Sequence, residues 1–63
     1  MDFAKNLVEV RKRLGISQAA LTKRLGIGQS AIANYEAGTR SPSLKELEKI
    51  AKALKISTAG LVE

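Results

Sequence analysis

Cysteine and histidine are both missing from this chain of 63 residues. Without thiols there is no disulfide staple and no thiolate zinc site. Without imidazole there is no imidazole ligation of a metal, and none of the acid–base chemistry that titrates near neutral pH. The absence of cysteine fits a cytoplasmic protein. No apolar run approaches the roughly 20 residues of a membrane-spanning helix. The first residues, MDFAKNLVEV, lack the basic-then-apolar order of a signal peptide. Strand-type alternation, internal repeats, linkers and low-complexity tracts are also missing, and the single proline is Pro42. The few carboxylates are scattered and no nucleophile has an evident base, so the sequence points away from an enzyme and from a metal, a cofactor or a small-molecule substrate.

What is present is a short globular chain. At 44% hydrophobic and 27% charged residues it is not a disordered segment. Its length predicts one domain over residues 1–63, and a domain of this size buries only about 60% of the surface of its unfolded chain. Every segment has helical periodicity. Phe3, Leu7, Val10 and Leu14 mark the apolar face of a first helix over about 2–14, closed by Gly15. Ser17 is a good N-cap for a second helix over 18–25, with Leu21 and Leu25 on one face. Gly26 suits the left-handed turn that ends it, and Ile27 plugs the turn. Gly28 is a modest cap for a third helix over 29–36, in which Ile32 and Tyr35 face inward. Gly38 and Pro42 then block continuation. Ser43 and Glu46 form a capping-box pattern for a fourth helix over 44–54, with Leu47, Ile50, Ala51 and Leu54 buried. Lys45, Lys49 and Lys52 fall on its solvated face, and Glu48 with Lys52 makes a favourable i,i+4 pair. Ser57 caps a short last helix ending in Leu61 and Val62 and weakened by Gly60.

The net charge of +5 has a location. Between residues 10 and 40 stand Arg11, Lys12, Arg13, Lys23, Arg24 and Arg40, against Glu36 alone; the two flanks cancel each other. A solvated surface accounts for a basic domain in general, but here the excess coincides with the two short helices and their tight turn, which favours a polyanionic partner. Gly26-Ile27-Gly28-Gln29-Ser30-Ala31 fits the G-x-G-x-x-G/A dinucleotide pattern, but that motif needs a preceding strand and a long βαβ unit. LTKRL precedes it with helical periodicity, so the match is dismissed.

Helix, glycine turn and helix in SQAALTKRLGIGQSAIANYEAGTRSP, with LGISQAALTKRLGI, YEAGTRSPSLKELEKIAKAL and the terminal KISTAGLVE, resemble the lambda-repressor-like (phage repressor/Cro, XRE-type) helix-turn-helix family over about residues 3–62. The resemblance implies an all-α, compact five-helix bundle that binds double-stranded DNA sequence-specifically as a transcriptional regulator, a repressor by preference. The third helix would enter the major groove. Gln29, Ser30, Ala33 and Asn34 lie on its outer face at helical spacing: a glutamine amide pairs with adenine, and Ala33 can touch a thymine methyl. By the same resemblance Gln18 meets a phosphate at the start of the second helix, and Thr39, Arg40 and Ser41, with Lys23, complete the phosphate contacts. Arg11 and Glu36 would pair beneath the recognition helix, the alternative being an outward Arg11 on a phosphate. The expected partner is DNA with two-fold-related half-sites, bound by a homodimer assembled on the DNA and located in the cytoplasm with the nucleoid. Leu61 and Val62 are the candidate exposed dimer contacts unless they belong to the core. Glycine at 28 and the small Ala33 depart from the usual pattern and leave the base preference open. The rival reading is a small helical interaction module, antitoxin- or coactivator-like, that binds an acidic partner.

Overall fold

A computed structural model describes residues 2–62 of the chain. Each of the first two helices starts on a side chain that accepts an otherwise unpaired amide. Asp2 caps α1 (Phe3–Arg13) by accepting from the Lys5 amide at 3.2 Å, and Ser17 caps α2 (Gln18–Leu25) by accepting from Ala20 at 3.0 Å. Gly28 caps α3 (Gln29–Ala37) with no side-chain bond, and Ser43 caps α4 (Leu44–Leu54) by accepting from Glu46 at 3.2 Å. The last helix, α5 (Ala59–Val62), is one turn. Its Gly60 and Leu61 amides donate to the Ser57 and Thr58 carbonyls at 3.0 Å, so Ser57 serves it through backbone and not through its hydroxyl.

The endings explain the turn geometry. Gly26 has φ +69° and Gly38 φ +79°, a left-handed conformation that costs any residue with a Cβ roughly 1–2 kcal/mol. Glycine at both places lets α2 and α3 stop where the chain must turn. At the end of α4 the same conformation falls to Lys55, φ +59°, whose amide and that of Ile56 return to the last carbonyls. No glycine signals that stop in the sequence.

All five helices supply the core: Leu7 and Val10 from α1, Leu21 from α2, Ile32 and Tyr35 from α3, Ile50, Ala51 and Leu54 from α4, and Leu61 from α5. Burying an aliphatic side chain of this size contributes about 1.5–3 kcal/mol. α3 packs on both α1 and α2, α2 also meets α4, and α1 meets α5. The recognition candidate α3 is therefore held from two sides while its outer face stays open.

Five expectations need correcting. Leu14 is 48% exposed and does not join the α1 stripe: the helix ends at Arg13, and Leu14 turns away as its C-cap. Asp2 lies outside the helix as its cap, and α3 runs one residue further, to Ala37. Leu61 is fully buried and its carbonyl accepts from Asn6 Nδ2 at 2.9 Å, which removes it as an exposed contact for a second copy; Val62 is half-buried. Among the described residues Arg11–Glu36 is the one ion pair, so Glu48 and Lys52 do not close theirs. No helix of the described residues is long and apolar enough to cross a membrane.

Candidate nucleic-acid interface

Ile32 and Tyr35 fix the rotation of α3 by burying one side of it completely. Helical spacing then turns Gln29, Ser30, Ala33 and Asn34 outward together, and all four are exposed. Two of them are small, so the helix axis can come close to a flat-walled groove. Gln29 and Asn34, near the two ends of this face, carry amides with both donors and an acceptor.

Under α3 lies a hydrogen-bonded ion pair. Arg11 Nε donates to Glu36 Oε2 at 2.6 Å and its Nη2 to Oε1 at 3.1 Å, a two-pronged arrangement. Its third nitrogen, Nη1, donates to the Ile16 carbonyl at 2.8 Å, in the turn between α1 and α2. Gln18 Nε2 adds a bond to Glu36 Oε1 at 2.9 Å. The two charged side chains keep only 12% and 8% of their surface exposed, so Arg11 faces the interior and joins α1, the following turn and α3. Burial pushes the Glu36 carboxyl up, but the bonds from Arg11 and Gln18 and the charges of Arg11 and Lys12 outweigh it, and its pKa lies below the usual value. Gln18 thereby spends one amide hydrogen on Glu36; the other, with its own backbone N–H at the start of α2, remains for an anion.

The loop from Gly38 to Ser43 is tied to α3 at two points. Arg40 lays its guanidinium over the Tyr35 ring, 5.4 Å from the centroid, and Phe3 meets the ring edge-on at 5.9 Å. The Tyr35 hydroxyl donates to Glu46 Oε2 at 2.8 Å. Burial raises the Tyr35 pKa, and the bond to Glu46 and its charge add to that, against a smaller opposing effect of Arg40. The same bond leads in lowering the Glu46 pKa, with Ser43 and Arg40 helping and burial opposing. The capping box of α4 is thus shared: Ser43 serves Glu46 as expected, while the Glu46 carboxylate reaches across to Tyr35.

The second tie is Thr39. Its amide donates to the Asn34 carbonyl at 3.0 Å, and its hydroxyl points at the same carbonyl, 3.3 Å, and at Asn34 Oδ1, 3.2 Å. Both donors of Thr39 thus face Asn34 in the free chain. Lys23, Arg40 and Ser41 are exposed, and Arg24 next to Lys23 turns to the Ala53 carbonyl at 3.3 Å. The ties Gln18–Glu36, Tyr35–Glu46 and Thr39–Asn34 have no signature in sequence spacing. Tyr35 and Glu46 stand eleven positions apart on different helices.

Comparison with known proteins agrees with this geometry. A helix-turn-helix family model matches residues 7–61. A search of curated protein sequences finds no match. Among solved structures, the chain is similar to the restriction-modification controller protein C.AhdI from Aeromonas hydrophila, with 35% identity, a TM-score of 0.90, and coverage of 95% of this chain and 91% of that one. The chain belongs to the lambda-repressor-like helix-turn-helix family, whose members are DNA-binding transcription regulators and not enzymes.

Proposed function

We propose that the 63 residues act as a single DNA-binding domain whose α3 enters the major groove, with Gln29, Ser30, Ala33 and Asn34 at the base edges. Gln18, Lys23, Arg40 and Ser41 hold the flanking phosphates, and the Arg11–Glu36 pair sets the angle of α3 without touching DNA. The observation that carries this reading is the open outer face of α3: two amides and two small residues on a helix that Ile32 and Tyr35 lock from behind. A homodimer on two-fold-related half-sites presents two such helices one turn of duplex apart. Such a complex on a promoter blocks it, so the chain is read as a repressor. Its similarity to a controller protein adds a narrower reading, control of restriction-modification genes.

The test is selection from a random duplex library followed by alanine substitution. Gln29→Ala or Asn34→Ala should lower specific affinity by roughly 1–3 kcal/mol and leave binding to random duplex nearly unchanged. Equal losses on both duplexes remove these residues from base readout. A selected site placed across a promoter should lower reporter output; a rise overturns the repressor assignment. Salt-sensitive binding with no enriched sequence would instead favour the interaction-module reading.

A further inference from the structure

We infer that Thr39 is a specificity-positioning residue: its hydroxyl holds the Asn34 side-chain oxygen and turns Asn34 into a donor toward the bases. This rests on the proposal that α3 reads the groove. The hydroxyl has one proton, and the atoms within reach of it are the Asn34 carbonyl and Oδ1, at 3.3 and 3.2 Å. The Thr39 amide, 3.0 Å from the same carbonyl, holds the threonine in place independently of its side chain. A free asparagine can present its oxygen and nitrogen together, the pattern that matches adenine N6 and N7. With Oδ1 turned back onto Thr39, the side chain offers its two Nδ2 hydrogens. Guanine answers with two acceptors, N7 and O6, whereas cytosine offers only a donor in the major groove. The base contacted by Asn34 should therefore be guanine over adenine, with cytosine rejected.

Library selection on the wild type, Thr39→Val, Thr39→Ser and Asn34→Ala tests this, together with affinity against salt. Valine keeps the shape and the backbone bond but removes the hydroxyl. At the position that Asn34→Ala identifies, the wild type should enrich guanine. Thr39→Val should lower the guanine-to-adenine ratio about five- to tenfold, the worth of one hydrogen bond, while Thr39→Ser keeps it. An unchanged ratio in Thr39→Val overturns the proposal, and a shallower salt slope with it would make Thr39 a phosphate donor instead. A wild-type preference for adenine at that position also overturns it. If Asn34→Ala changes no position, base reading by Asn34 itself fails, which is a separate result. In the free protein the Asn34 side-chain carbonyl carbon resonance should shift in Thr39→Val and stay in Thr39→Ser; no shift overturns the proposal without DNA.

Discussion

Arg11 and Glu36 behave as one unit, because each leaves the other stranded when it is removed. Both are mostly buried, yet each keeps about a tenth of its surface in water. The loss for Arg11→Ala or Glu36→Ala should therefore fall at the low end for broken buried pairs, about 3 kcal/mol. Replacing both with apolar residues should cost much less than the two losses together, and a urea-unfolding double-mutant cycle measures this coupling. Acid acts on the same pair. The folded Glu36 pKa lies below its ordinary value of 4.5, so the unfolded chain takes up the proton first as pH falls. The stability it contributes is complete above pH 4.5 and is lost as pH falls through the folded value. The Glu46 shift has the same sign. Urea midpoints should drop in acid, and Glu36→Gln should flatten that drop. At this scale the sequence showed the residue types but not their partners. The open face of α3 followed from a period of 3.6, whereas Gln18, Thr39 and Glu46 found partners through folds of the chain that no period records.

Helix boundaries were legible where the stop is chemical and obscure where it is geometric. Gly26 and Gly38 mark their turns because few other residues take those angles cheaply. Leu14 continued the apolar spacing of α1 beyond the point where the helix ends, so periodicity placed it in the core and the C-cap placed it outside. Lys55 carries a left-handed conformation unannounced by any glycine. Lys55→Gly should relieve roughly 1–2 kcal/mol of strain, partly offset by the looser unfolded chain, for a net gain of about 0.5 kcal/mol. In α5, a Cβ on Gly60 would sit 3.5 Å from Ile56 Cδ1, an ordinary contact, and φ there is not positive. Gly60→Ala should therefore stabilise the protein by up to about 1 kcal/mol. Thermal melting of both variants checks these values; a lower melting temperature for Gly60→Ala would mean that the last turn cannot accept a side chain.

At the scale of the whole molecule, the net charge of +5 favours a polyanion such as DNA as partner. The fold was legible from five amphipathic segments and their stops, but the placement of α5 was not. Leu61 is buried against the rest of the bundle, a tertiary choice that a single helical turn cannot announce. With Leu61 inside, any pairing of copies must use other surface. If each copy makes two or three cationic phosphate contacts, the log–log dependence of affinity on salt for a dimer should have a slope of about −4 to −5. Arg40→Ala removes one contact per copy and should make it shallower by about 2, leaving base preference intact because phosphates position without specifying. An unchanged slope would assign Arg40 to Tyr35 alone, as a stacking partner within the fold.

Tyr35 is the one tyrosine in a chain without tryptophan, so ultraviolet emission excited near 280 nm comes from a single known place. That phenol donates to a carboxylate and has a guanidinium across its face. An excited phenol is a far stronger acid than one in its ground state, and a carboxylate beside it drains its emission. The folded protein should be dim and the unfolded protein bright. Glu46→Gln should brighten the folded form, and departure of Arg40 from the ring toward a phosphate should alter the signal. α3 thus carries its own optical gauge, with no label to attach, on the side opposite to its open face.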